Sequence, residues 1–168
     1  NALNFLEETS EDETHVCLQL GAGYPLPKLV EYAKKRSLAG LEYLYGIPGS
    51  VGGSLRMNAG TKKGEMANIT ESLEYINPNG VTETLSGTQL KFSYRHLKIS
   101  PQAVILSGSF KLTKSNEVEL QNRMQEYRDY RHQTQPLEFP NWGSVFKNPE
   151  GDFAARLIED AGLKDVRV

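Results

Sequence analysis

"GIPGSVGGSLRMNAG", Gly46 to Gly60, carries five glycines and one proline in a run almost free of reactive side chains. A glycine inside regular structure costs about 0.5–1 kcal/mol relative to alanine, so a run this rich marks backbone that another group must approach closely or that bends through left-handed conformations. Pro48 fixes one turn, and Ser50 is placed to cap a short helix starting near Val51, whose free amides are expected to point outward as an anion site. The spacing is neither Gly-x-Gly-x-x-Gly behind a strand nor a P-loop, and Lys62 and Lys63 come too late to serve as a P-loop lysine. Taken alone, the run also fits a tight, solvent-exposed turn.

Working outward, "THVCLQLGAG" alternates Val16, Leu18 and Leu20 against His15, Cys17 and Gln19, a strand that the Gly21 and Gly23 pair ends. Leu26, Leu29, Val30 and Ala33 then share one helical face, which predicts a helix over 25–38 with prolines at its start and Gly40 beyond its end. Downstream of the glycine run, Asn79-Gly80 separates two β-favouring stretches and predicts a hairpin. Ala103 to Leu112 reads as a buried strand, and Asn116 to Arg131 as a polar connector helix with Leu120, Met124, Tyr127 and Arg131 on one stripe. The proline-rich stretch that follows cannot stay regular for long. A last helix has Asp152 as its cap, Phe153, Leu157 and Ile158 as its apolar face and Gly162 at its end. Strands first and helices later define an α+β fold, with a boundary near 113–135.

The 168 residues suffice for one ordinary domain and part of another. With 19 basic against 21 acidic residues there is no global field to attract nucleic acid or an anionic membrane, so any anion site is local. No apolar stretch approaches the roughly 18 residues of a membrane span. The single cysteine, Cys17, makes no internal disulfide and reads as core packing in a reducing compartment, and the chain is expected to be cytoplasmic. His15, His96 and His132 have no partners at metal-ligand spacing, so no metal is predicted. The acidic run "EETSEDE" reads as a solvated loop.

Three motifs in order, "GIPGSVGGSLRMNAG", "FSYRH" from Phe92 to His96, and "GSVFKNP" from Gly143 to Pro149, resemble the MurB family of UDP-N-acetylenolpyruvoylglucosamine reductases. The resemblance extends through "YRDYRHQTQP" and "FAARLIEDAGLK" and covers essentially the whole chain. It implies a FAD-binding lobe of the vanillyl-alcohol-oxidase/PCMH-like type over 1–132, followed by the start of a MurB substrate domain over 133–168. It also implies FAD as cofactor, NADPH as hydride donor, and a nucleotide-sugar substrate used in peptidoglycan precursor synthesis, with a monomer and no nucleic acid or membrane partner.

The family's reaction passes a hydride from NADPH through FAD to the enolpyruvyl ether of UDP-N-acetylglucosamine. Hydride arriving at the terminal carbon leaves enolate-like negative charge beside a carboxylate, which asks for a fixed cation and a proton donor. By resemblance, Arg95 is the cation, because a guanidinium stays protonated and grips a carboxylate with two parallel bonds. Ser144 matches the general acid, a role that depends on positioning more than on acidity. Tyr94 and Asn148 match substrate-binding positions, and Lys147 is placed near a phosphate. Gly46, Ile47, Pro48, Gly49, Ser50, Val51, Gly52, Gly53, Asn58 and Arg131 match cofactor-binding positions. Thr134 stands where some members carry a substrate-contacting lysine, and Trp142 replaces a small residue before the Gly-Ser pair.

Without the motif context, Arg95 reads as a surface charge at a strand end, Ser144 as a turn serine bonding its own backbone, and Arg131 as one half of a salt bridge on the connector helix. At the level of function, a flavin- or nucleotide-binding module without chemistry and an FAD oxidase of related architecture are the alternatives. The resemblance places the family's pyrophosphate-binding lobe before Asn1 and its catalytic glutamate after Val168, with Glu159 matching neither. The 168-residue polypeptide by itself is therefore expected to be inactive and to purify without stoichiometric flavin; a yellow one-to-one flavoprotein, read from its visible absorbance, would contradict this.

Overall fold

Residues 2–135 and 144–166 are described by the computed structural model, and they separate into two compact units, Asn1–Thr134 and Gln135–Val168. Along the first unit run β1 (Leu6–Glu11), β2 (His15–Gly21), α1 (Leu26–Lys35), β3 (Leu38–Ala39), α2 (Val51–Arg56), β4 (Gly60–Thr61), β5 (Gly64–Glu65), β6 (Thr70–Ile76), β7 (Thr82–Ser86), β8 (Phe92–Ser93), β9 (His96–Leu97), β10 (Val104–Lys114) and α3 (Glu117–Thr134). Short 3-10 turns occupy 42–44, 66–68 and 87–89, and the second unit holds α4 (Ala154–Asp160). The α+β class expected from the sequence is the class observed.

Alternation sets the main sheet. Val16, Leu18 and Leu20 are at most 1% exposed, whereas His15, Cys17 and Gln19 on the other face are half-buried. The strand order is β1-β2-β10-β6-β7, antiparallel throughout, with β3 joining the far end of β10. The 11-residue β10 is the central strand, and Phe110 and Leu112 on it pack with Leu18, Leu20, Leu73 and the inward residues of α1 and α2 in one core. Burial of each such side chain contributes about 1.5–3 kcal/mol, so this face dominates the stability of the unit.

The helix over 25–38 is shorter than predicted. Arg36 closes α1, Ser37 takes a left-handed φ of 51°, and Leu38 and Ala39 turn outward to pair with Lys114 and Thr113 of β10. Sheet pairing wins there because Leu38, at 1% exposure, reaches the core from a strand. The β6–β7 hairpin forms around Asn79-Gly80, with Gly80 at φ 79° and the Asn77 side chain accepting from the amides of Asn79 and Val81. In α3, Leu120 and Met124 are buried and Tyr127 and Arg131 half-buried, the stripe read from sequence, and Asn116 accepts from the Glu119 amide at its start.

The acidic run Glu7–Glu13 is an edge strand as far as Glu11, and only Asp12 and Glu13 lie in a loop. Glu7, Glu8 and Glu11 belong to β1, which pairs with β2 through a bulge at Glu8/Ser10. Its carboxylates are held by cations from neighbouring elements: Arg36 contacts Glu8 at 2.7 Å and Glu11 at 3.2 Å, Lys114 pairs with Glu11, and the Tyr32 hydroxyl bonds Glu8. An edge strand rich in charge also resists pairing with other chains.

In the second unit, α4 begins one residue later than read from sequence. Phe153 is the N-cap residue, while Asp152 accepts from the Phe153 amide and pairs with Arg156. The Ala154 amide is instead met by the Asn148 side chain at 3.1 Å. The end is as expected: Gly162 takes φ 70° and its amide bonds Glu159, while the Leu163 amide reaches back to Ile158. No helix among the described residues is long and apolar enough to cross a membrane.

Hydrogen bonds from Arg36 and then Tyr32 hold the Glu8 carboxyl below its ordinary value of 4.5. A depressed carboxylate stabilises the fold above its unfolded value and loses that contribution as pH falls through the folded one. Glu8→Gln should therefore lower the melting temperature at neutral pH, and the gap to wild type should close as the pH drops below 4.5; a gap unchanged to the lowest pH at which the protein stays folded would contradict this assignment.

Candidate functional site

The glycine run folds as a loop followed by α2, with Ser50 as the cap predicted for it, its hydroxyl accepting from the Gly53 amide at 3.4 Å. The expected outward-pointing amides are not free, however. The Val51 amide donates to the Tyr24 carbonyl at 3.0 Å and the Gly52 amide to the Ala22 carbonyl at 2.8 Å, while Leu26 donates back to the Gly49 carbonyl at 2.9 Å. The start of α2 is thereby sewn to the exit of β2, and it offers no anion site. Gly52 is required by this seam: a Cβ there would lie 2.8 Å from the Ala22 Cβ and 3.1 Å from its carbonyl oxygen.

What remains available is upstream. Among the described residues the amides of Gly46, Gly49 and Ser50 have no protein partner, whereas the Ile47 amide is used by Leu44 and Pro48 has none. Gly49 faces open space, with nothing within 4 Å of a Cβ position. The Arg131 guanidinium lies against the same loop, its Nε 2.8 Å from where a Gly46 Cβ would stand, and it has no carboxylate partner among the described residues. The salt-bridge reading of Arg131 therefore finds no partner among the described residues. Arg128, one turn earlier, stacks on Tyr45 with its carbon Cζ 5.4 Å from the ring centre and donates to its hydroxyl at 3.1 Å. Bare amides, an open surface and a cation with no carboxylate partner among the described residues suit an anionic or flat polar group pressed onto residues 46–50.

Arg95 sits at the other end of the run. Its guanidinium donates to the Gly60 carbonyl at 2.6 Å and to the Asn58 carbonyl at 3.4 Å, and it lies 5.0 Å from the Tyr94 ring centre. Tyr94 is half exposed beside it, and His96 is exposed. The Asn58 side chain is fully buried and engaged by protein at both ends, donating to the Ser93 carbonyl at 3.1 Å and accepting from the Ala67 amide at 3.0 Å. These two bonds give Asn58 a structural role beside the cofactor contact expected of it, since its polar atoms meet protein backbone.

In the second unit, Ser144, Lys147 and Asn148 are exposed, and the Asn148 side chain oxygen is committed to the Ala154 amide. Glu159 pairs with Lys164 at 2.6 Å, and that hydrogen bond and charge hold its carboxyl below the ordinary value of 4.5. Thr134 bonds the Tyr130 carbonyl at 2.8 Å. Trp142 and Gly143 lie outside the described residues.

Sequence reading missed the carbonyls of Ala22 and Tyr24, for which the Gly21 and Gly23 pair was the available signal. It also missed Arg56, whose guanidinium donates to the carbonyls of Ser100, at 2.9 Å, and Ala103 and anchors the end of α2. Tyr43 is a third: its ring packs on Gly64, and its buried hydroxyl, without a hydrogen-bond partner among the described residues, is kept neutral by burial and then by the charge of Glu42.

Residues 3–86, half of the chain, match the FAD binding domain family model, which sets the class of the protein as FAD-binding. Residues 135–168 match the model for the C-terminal domain of UDP-N-acetylenolpyruvoylglucosamine reductase. Proteins of that name are 45% identical over 88% of the chain in Myxococcus xanthus and 41% identical over 98% of it in Syntrophus aciditrophicus. The chain spans about half the length of these curated relatives, 47% and 53% respectively. The crystal structure of UDP-N-acetylenolpyruvylglucosamine reductase (MurB) from Thermus caldophilus superposes with a TM-score of 0.77 at 38% identity, over 89% of this chain and 55% of that one. The chain belongs to the MurB family of UDP-N-acetylenolpyruvoylglucosamine reductases.

Gly46→Ala should cost about 1–2 kcal/mol in denaturant unfolding, since alanine is strained at a left-handed position, here φ 72°. Arg131→Ala should stay within about 0.5 kcal/mol of wild type, because no ion pair among the described residues is lost. A larger loss for Arg131→Ala would assign that side chain to the fold and remove it from the site.

Proposed function

We propose that the protein carrying this chain reduces the enolpyruvyl ether of UDP-N-acetylglucosamine to UDP-N-acetylmuramate, using FAD and NADPH. One observation carries the reading: Arg95 is fastened to Asn58 and Gly60, at the end of the segment whose beginning keeps the Gly46, Gly49 and Ser50 amides free. The proposed cofactor loop and the substrate-gripping cation are thus joined through one stretch of backbone, residues 46–60.

Gly46, Gly49, Ser50 and Arg131 are the groups that would hold FAD, with Ile47, Pro48 and Gly53 lining the surface and Val51 and Gly52 fixing it from behind. FAD, when bound, supplies the hydride chemistry between NADPH and the enol ether. The protein's own part is charge and proton handling. Arg95 binds the substrate carboxylate and balances the negative charge that grows beside it, and Tyr94 lines the same place. Ser144 donates the proton to the neighbouring carbon, a transfer that needs close placement more than high acidity. Asn148 and Lys147 belong to the nucleotide-sugar side. Residues 1–132 serve as the cofactor lobe and 133–168 open the substrate domain. The enzyme is read as a cytoplasmic monomer, and the near balance of charge, which leaves no global field, supports a reading in which neither nucleic acid nor membrane is a partner.

The polypeptide as its gene encodes it should oxidise NADPH only when the enolpyruvyl nucleotide sugar is present. Ser144→Ala should lower turnover by about 10²–10⁴ with flavin content unchanged. Turnover at the wild-type rate in that variant would remove Ser144 from the reaction, substrate-independent oxygen consumption would favour an oxidase, and a wild-type protein that binds flavin without turnover would favour a binding module.

A further inference from the structure

Asn58 has the lowest exposure of any buried polar residue described, at 0%, and three elements meet on it. Its own amide closes the end of α2 by bonding Leu55 at 3.1 Å, its side chain oxygen takes the Ala67 amide from the 66–68 turn, and its side chain nitrogen donates to the Ser93 carbonyl in β8. Ser93 immediately precedes Tyr94 and Arg95, the turn of a hairpin whose strands are only two residues each. Such a hairpin is marginal without outside support.

Four non-glycine residues among those described take positive φ, and two of them, Asn58 at 40° and Arg95 at 51°, belong to this contact. A left-handed arginine persists only where its surroundings fix it. Among the described residues, the hydrogen bonds that reach this turn from outside the hairpin are the Asn58 side chain on Ser93 and the carbonyls of Asn58 and Gly60 on the guanidinium. All of them lead back to residues 58–60.

We propose that Asn58 is the positioning residue for Arg95, setting where the guanidinium stands relative to the 46–53 loop. The proposal rests on the reading of Arg95 as the substrate-gripping cation. The site needs one donor and one acceptor fixed in opposite directions inside a sealed space. Asparagine supplies both, and it tolerates a left-handed backbone better than most residues. Aspartate keeps the acceptor and loses the donor to Ser93; glycine keeps the backbone and loses both bonds.

The test uses the gene-encoded polypeptide, as wild type, Asn58→Asp, Asn58→Gly, Arg95→Ala and the Asn58→Asp/Arg95→Ala double variant. In hydrogen–deuterium exchange, the peptide spanning 91–98 should exchange about tenfold faster or more in Asn58→Asp, the scale of one to two lost hydrogen bonds, with β2 and β10 unchanged. No change in that peptide, or equal acceleration everywhere, overturns the proposal. In steady-state assays Asn58→Asp should lower kcat about tenfold at constant flavin content, and should add nothing in the Arg95→Ala background. Losses that multiply independently overturn it as well. A wild-type protein without turnover refutes the functional reading alone, since the exchange measurement still decides whether Asn58 holds the Arg95 turn. Asn58→Gly answers both questions if the aspartate variant does not fold.

Discussion

Two backbone hydrogen bonds, from Val51 to Tyr24 and from Gly52 to Ala22, fix the candidate site to the sheet. They connect the loop-and-helix segment to the exit of β2, which is itself buried beside the central β10. Any drift of the 46–53 loop would have to break amide–carbonyl bonds that no water replaces at the buried Val51 and Gly52. The absence of a side chain at Gly52 is what lets the two backbones meet at this distance.

That seam also determines which amides are left for a ligand. A helix start with free amides is an anion site, but here the helix is six residues long and its first amides are already satisfied by carbonyls. Donor capacity therefore moves upstream to Gly46, Gly49 and Ser50, and positive charge comes from a side chain, Arg131, in place of a helix dipole. The glycines divide accordingly: Gly52 makes the fastening possible, and Gly46 and Gly49 leave room above it.

The cations of the first unit are sorted by their partners. Arg36 and Lys114 neutralise the acidic edge strand, and Arg123 meets the buried Glu42 at 3.4 Å. Arg56 and Arg95 are held by backbone carbonyls, which orient a guanidinium without cancelling its charge. Arg131 lies on the glycine loop with no carboxylate among the described residues. A cation fixed by neutral groups keeps its field for an incoming anion.

Local chemistry made much of this readable from the chain. Alternation at Val16, Leu18 and Leu20, the apolar face of α1, the Asn79-Gly80 turn, Ser50 at a helix start and Gly162 at a helix end all depend on neighbours within a few residues, and all stand as the sequence indicated. The family could be read too, since its motifs are contiguous strings. Long-range pairing decided the rest. Whether "EETSEDE" is loop or strand depends on cations that arrive from Arg36 and Lys114, and whether Val51 and Gly52 offer their amides depends on carbonyls about thirty residues upstream. The burial of Asn58 and its grip on the Arg95 turn depend on Ser93 and Ala67. Sequence determines which backbone conformations and faces are available, and only tertiary structure decides which donors meet which acceptors, because a hydrogen bond is fixed by distance in space and not by separation along the chain.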